Sequence, residues 1–180
     1  MIKKMRFGGE IGTICQMAYV VKDIHEAIDW WIKRTGVGPW FVLPSFGGPD
    51  HIYRGAPCTS SSAIAMSFAG STNIELVQPL DENPSVYKET IDRVGYGFHH
   101  VGIARDDIEE EVERRIARGE VLVQRAPVPT GGSVAFFEGG PTAPGFVELI
   151  PATEGRDAGF TSFWEQTQEW DGRDPVRPFL

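Results

Sequence analysis

Two stretches decide the fold: Gln16-Met-Ala-Tyr-Val-Val-Lys-Asp-Ile24 and, 84 positions later, His100-Val-Gly-Ile-Ala-Arg-Asp-Asp-Ile108. Each is a short apolar run that stops at an aspartate and then changes to helical spacing, so the two read as copies of one strand–helix unit. After Asp23 the apolar residues Ile24, Ala27, Ile28, Trp31 and Ile32 recur every three or four positions, and after Asp107 so do Ile108, Val112 and Ile116. Asp23 and Asp107 suit the N-cap position, where a short carboxylate accepts the first free helix N–H groups; Gly36 and Gly119 mark the two helix ends.

Three strand-like runs follow each helix. In the first half they are Trp40–Leu43, Ala63–Phe68 and Ile74–Val77; in the second, Val121–Arg125, Val134–Phe137 and Phe146–Ile150. Gly and Pro clusters separate them: Phe46-Gly-Gly-Pro49, Ala69-Gly70, Thr130-Gly-Gly132 and Gly139-Gly-Pro141. The expected fold is α+β: two βαβββ modules, residues 12–80 and 98–151, forming an open, cupped mixed β-sheet. Residues 81–97 read as a linker with a short helical pattern, and 152–180 as a C-terminal aromatic helix and tail outside the repeat, with Phe160, Phe163, Trp164 and Trp170 as its apolar stripe.

The closing strands repeat as well: Ile74-Glu75-Leu76-Val77-Gln78-Pro79 and Val147-Glu148-Leu149-Ile150-Pro151. Each sets one carboxylate inside an apolar run, and burying an unpaired carboxylate costs several kcal/mol. The opening strands carry the matching oddity, Gln16 in one and His100 in the other. Four polar residues thus occupy equivalent places in two repeats. Together they offer two carboxylates, an amide oxygen and an imidazole nitrogen, a donor set suited to one divalent ion such as Zn²⁺, Ni²⁺, Co²⁺, Mn²⁺ or Fe²⁺. No cysteine belongs to the set, which speaks against a structural zinc site. His99 is expected to point away from His100 by strand alternation and to pack between sheet and helix or donate a hydrogen bond.

At these residues the chain resembles the vicinal oxygen chelate superfamily, which includes glyoxalase I, methylmalonyl-CoA epimerase, extradiol dioxygenases and fosfomycin or bleomycin resistance proteins. The resemblance covers about residues 12–151. Carried over residue by residue, it implies metal ligands at Gln16, Glu75, His100 and Glu148, and a homodimer. A Gln, Glu, His, Glu set is similar to the lyase and isomerase branches. The dioxygenase branch uses two histidines and one glutamate, and Gln16 stands where the first of those histidines would be.

The expected function is therefore a divalent-metal-dependent lyase or isomerase that chelates a carbonyl-bearing, apolar or aromatic substrate and moves a proton by way of an enolate. Glu148 is the preferred base and Glu75 the second choice. Trp40, Phe41, His51, Tyr53, Arg54 and Phe137 are the expected substrate-binding residues; Phe46 and Phe136 belong to the same aromatic set. A small-molecule-binding protein of the resistance type and a non-haem iron dioxygenase, with His51 replacing Gln16 at the metal, are the alternatives. The net charge of −8 disfavours nucleic acid or an anionic membrane as partner. There is no apolar run of membrane-spanning length and no signal-peptide pattern, and the two cysteines, Cys15 and Cys58, suit a reducing compartment, so the expected location is the cytoplasm.

Overall fold

The computed structural model describes residues 3–140 and 145–179; of the expected turns, Gly139–Pro141 falls at Pro141 outside the described residues. The first half contains β1 (Ile14–Val20), α1 (Ile24–Thr35), β2 (Trp40–Phe46), the two short strands β3 (Ile52–Tyr53) and β4 (Ala56–Pro57), β5 (Ser62–Ala69) and β6 (Thr72–Pro79). Helix α2 (Val86–Val94) leads to the second half: β7 (Gly97–Arg105), α3 (Ile108–Ala117), β8 (Leu122–Pro127), β9 (Ser133–Glu138) and β10 (Phe146–Pro151). Helix α4 (Glu154–Gln168) and β11 (Val176–Pro178) complete the chain.

Local chemistry explains the helix ends. Asp23 accepts from the backbone N–H groups of His25 and Glu26, and Gly36 closes α1 in the left-handed conformation at φ 74°. Asp107 holds the corresponding place before α3 but makes no side-chain cap. Its carboxylate is instead taken by the guanidinium groups of Arg105 and Arg114. Charge pairing has outcompeted the cap.

Among the described residues the strands form one mixed sheet in the order β11-β2-β5-β6-β1-β7-β10-β9-β8-β3-β4. It is curved and does not close. The order within the first half, β2-β5-β6-β1, mirrors that within the second, β8-β9-β10-β7. The halves join where β1 and β7 pair antiparallel, while β1 with β6 and β7 with β10 are parallel. The two modules therefore share one cup within a single chain.

That central pairing slips register twice. Ile14 faces Ile103 and Gln16 faces Gly102, so Cys15 is an extra residue in β1; Ala18 faces His100 and Tyr19 faces Phe98, so His99 is an extra residue in β7. Both bulges precede the repeat-equivalent positions Gln16 and His100. A bulge breaks the alternation of side chains and lets two successive residues face one side. Cys15 accordingly packs inside the cup with Phe41 and Met66. His99 lies against Tyr87 and Phe146 and touches His100, at ring-centroid separations of 4.8, 5.1 and 5.0 Å. The expectation that His99 points opposite to His100 fails for this reason.

The outer face of the sheet is covered by α1 and α3. Ile24 and Ile28 of α1 pack with Trp40 and Leu76 of the sheet; Val112 of α3 packs with Phe137 and Leu149. Trp31 packs on Trp40 and Tyr19, whereas Trp30 stays 54% exposed. Inside the cup, Phe7, Phe41, Met66 and Phe68 meet Phe160 and Phe163 of α4. The C-terminal segment is thus part of the core: Phe163 stacks on Phe41 at 4.1 Å and β11 pairs with β2. Replacing Phe163 with alanine is expected to cost about 3–5 kcal/mol. Guanidinium unfolding should show this as a lower midpoint with an unchanged denaturant slope, and hydrogen exchange should show faster opening of α4.

Candidate metal centre and its cavity

Strand geometry brings Glu75, His100 and Glu148 together. β6 carries Glu75 beside β1, and β10 carries Glu148 opposite Gly102 of β7. His100 is fully buried, and Glu75 and Glu148 are exposed by only 5% and 7%. Ligand atoms of the three all lie within 4.8 Å of one another. His100 Nε2 is 3.1 Å from Glu148 Oε2 and 3.4 Å from Glu75 Oε2. Donors held 2.0–2.2 Å from one ion at right angles sit about 3 Å apart, so the separations fit ligands of a shared divalent cation.

Two buried atoms support that fit. His100 Nε2 has no partner in hydrogen-bonding line, although Glu148 is at hydrogen-bond distance. Gln16 donates through Nε2 to Asn73 Oδ1 at 2.9 Å, which leaves its buried Oε1 without a donor among the described residues. A Cβ on Gly102 would come within 2.6 Å of that oxygen, so the glycine makes room for Gln16. Orphaned acceptors of this kind are uncommon in protein interiors and call for a missing partner. A buried Glu–His–Glu group of this geometry can hold a metal ion.

The imidazole tautomers follow from the hydrogen bonds. His99 Nε2 lies 3.1 Å from the carbonyl oxygen of Val86, which only accepts, so Nε2 carries hydrogen. Burial, then the neighbouring His100, hold the His99 pKa well below its usual value, so the ring is neutral and its Nδ1 accepts. His100 Nδ1, 2.7 Å away, must then donate to it. The remaining nitrogen of His100, Nε2, faces the carboxylates, and once it gives up its proton its lone pair is available to a cation.

Electrostatics around the cluster are strained by burial. Desolvation pushes Glu75 up to about 7, with His100 opposing and Glu148 adding to the rise. Burial works against charge on His100, but Glu148 and Glu75 outweigh it and raise its pKa. The Cys15 thiol is pushed up to about 11, mainly by burial, so it stays protonated as a packing residue.

Next to the cluster is a cavity of about 80 Å³ lined by Gln16, Glu75 and Glu148 and by apolar side chains including Phe46, Ile64, Met66 and Phe136. Of the other expected binding residues, Phe41 lies in the cup core under Phe163. His51 packs behind Phe46 at 5.0 Å. Trp40 and Phe137 face the outer helices, because they alternate with Phe41 and Phe136 along their strands. Tyr53 and Arg54 are engaged elsewhere: the Tyr53 hydroxyl donates to Glu89 at 2.6 Å, and Arg54 pairs with Glu89 at 2.9 Å and Glu138 at 2.7 Å. Several lining residues escaped the sequence reading, two of them polar side chains from helices. Tyr87 comes from the linker helix α2, and Arg156 from α4. The available signal for Arg156 was its place four and seven positions before Phe160 and Phe163, one charge on an apolar helix stripe.

Comparison with known proteins agrees with this architecture. No curated protein matches the sequence. Among solved structures, the methylmalonyl-CoA epimerase from Mycobacterium tuberculosis superposes with a TM-score of 0.59 at 18% identity, covering 88% of this chain and 96% of that one. A hypothetical protein from Bacillus halodurans C-125 gives 0.58 at 23% identity, covering 79% and 95%. The Streptomyces coelicolor methylmalonyl-CoA epimerase in complex with 2-nitronate-propionyl-CoA gives 0.58 at 14% identity, covering 79% and 99%. At these identities the likeness is one of fold. The family model described as Glyoxalase/Bleomycin resistance protein/Dioxygenase superfamily matches residues 15–136, from the bulge before Gln16 to the cavity wall at Phe136, and the chain belongs to that superfamily.

Proposed function

We propose that this protein is a divalent-metal-dependent isomerase or lyase that moves a proton next to a substrate carbonyl. The observation that carries the reading is the convergence of Glu75, His100 and Glu148, drawn from both halves, on one buried point beside an apolar cavity. These three residues, with the Gln16 amide oxygen as the fourth donor, are the proposed ligands. The cluster has a single histidine among the described residues, and His51 packs on Phe46 instead. That favours proton chemistry over the two-histidine arrangement of the dioxygenase branch.

When bound, a divalent ion at this point would polarise the substrate carbonyl and make the neighbouring C–H more acidic. Glu148 is the proposed base. It takes the proton from the carbon beside the carbonyl and returns it to the other face or to an adjacent carbon. Glu75 is the second carboxylate within reach of the same atoms and can share that role. His99 keeps the His100 Nε2 lone pair directed at the site. Phe46, Phe136 and Phe163 keep bulk water away and strengthen each charge interaction inside. The family also supports a homodimer with a small-molecule substrate. No helix among the described residues is long and apolar enough to cross a membrane, and we assign the protein to the cytoplasm.

Three outcomes test this reading. Glu148→Gln should reduce turnover of a responsive keto substrate by at least 10²-fold, and full turnover would remove Glu148 as base. Metal uptake must displace protons from Glu75, held near 7, and from His100, whose pKa is raised. Affinity for Zn²⁺ or Co²⁺ should therefore fall as pH drops from about 8 to 6, with proton release visible when calorimetry is repeated in buffers of different ionisation heat. His99→Phe should strand the His100 Nδ1–H. Metal affinity is expected to drop about 10–100-fold, and ¹H–¹⁵N NMR of the metal-free chain, at a pH where His100 is neutral, should show His100 losing its single tautomer.

A further inference from the structure

Arg156 is a charged side chain only 6% exposed, and it lines the same cavity as Glu75 and Glu148. Its surroundings are built in detail. Thr153, the N-cap of α4, accepts from the Arg156 backbone N–H at 3.1 Å and donates to the Thr130 carbonyl at 2.7 Å. This ties the β8–β9 turn to the start of the helix. The close approach depends on glycine: a Cβ on Gly155 would stand 2.8 Å from Thr130 O, and Gly132, at φ 77°, would put one 2.9 Å from Pro151. The Thr130 hydroxyl then accepts from Arg156 Nε at 3.1 Å, and the guanidinium lies 4.8 Å over the Phe160 ring.

The terminal nitrogens are left over. Among the described residues no carboxylate lies within ion-pair distance of the guanidinium, and Thr130 is its one side-chain acceptor. Glu75 and Glu148 act on it only from farther away. Burying a guanidinium costs several kcal/mol unless an anion pairs with it, and its fork of N–H groups matches a carboxylate. Glu75 and Glu148 lie beyond ion-pair distance of it, so the terminal N–H groups of Arg156 remain for another anion. Arg156 is the one Lys or Arg among the cavity-lining residues, which suits a singly charged group better than a phosphate.

We propose that Arg156 is the anion-binding residue of this cavity, and that the substrate is an apolar carboxylic acid whose carboxylate pairs with Arg156 while its carbonyl faces Glu75, His100 and Glu148. The carbonyl half of this assignment rests on the metal-site reading; the anion half does not. Leu43, Ile64, Met66, Phe136 and Phe163 would enclose the apolar body.

The test compares butyrate, short enough for a cavity of about 80 Å³, with its neutral isostere butanamide by calorimetry on the metal-free chain. The acid is expected to bind at least 10-fold more tightly than the amide. Arg156→Met, which retains an apolar stem over Phe160, should abolish the difference with circular dichroism unchanged. Thr130→Val leaves the charge in place but removes its orienting acceptor, and should narrow the difference. It provides the second reading if Arg156→Met does not fold. Undetectable binding of the acid, equal binding of the two probes, or an unchanged preference in folded Arg156→Met or in Thr130→Val overturns the proposal. Zinc titration of the same samples separates the two readings: acid preference without zinc uptake supports the anion site while removing the metal centre.

Discussion

The structure depends on the antiparallel pairing of β1 with β7 at the middle of the sheet. This is where the two halves meet, and it is irregular at two symmetry-related places. Each bulge costs regular ladder hydrogen bonds and provides an inward-facing residue just before a proposed ligand. In the first half the extra residue is Cys15, a neutral packing group. In the second it is His99, whose link to Val86 settles which nitrogen of His100 bears hydrogen. The same backbone device thus does packing in one copy and ligand orientation in the other.

The second theme is charge held where water is scarce. Two carboxylates, an imidazole and a guanidinium sit within or beside one apolar cavity. Without partners each would be expensive to bury. Their mutual arrangement offsets part of that cost, and the remainder shows as raised proton affinity at Glu75 and His100 and as the donors of Arg156 that find no partner among the described residues. Sites of this kind trade stability for chemistry. The C-terminal helix is the element that completes the site: it supplies Arg156 at its first turn and Phe160 and Phe163 farther along one face, and β11 then anchors the tail on β2.

What could be read ahead of the structure was whatever the repeat wrote twice. Gln16 matches His100 and Glu75 matches Glu148, each pair in an apolar run with no local reason for a polar side chain. A duplicated departure from pattern is informative in a way that a single one is not. The repeat also made the mixed open sheet legible, since each half carried the same strand–helix–strand sequence. Residues outside the repeat had no such internal reference. Arg54 looked like a free cation in a loop, yet it pairs with Glu89 and Glu138, residues 35 and 84 positions away in the chain. Phe137 looked equivalent to Phe136, and only the register with β10 decides which of the two faces the cavity.

The amino-acid sequence by itself determined the two βαβββ units, the helix caps at Asp23 and Gly36, and the family, because these follow from periodicity, local propensity and duplication. Tertiary structure alone decided that His99 turns inward beside His100, that α4 brings Arg156 into the cavity, and that Trp40 and Phe137 turn away from it. Those outcomes depend on a one-residue slip between paired strands and on contacts between segments far apart in the chain. No local pattern encodes either one.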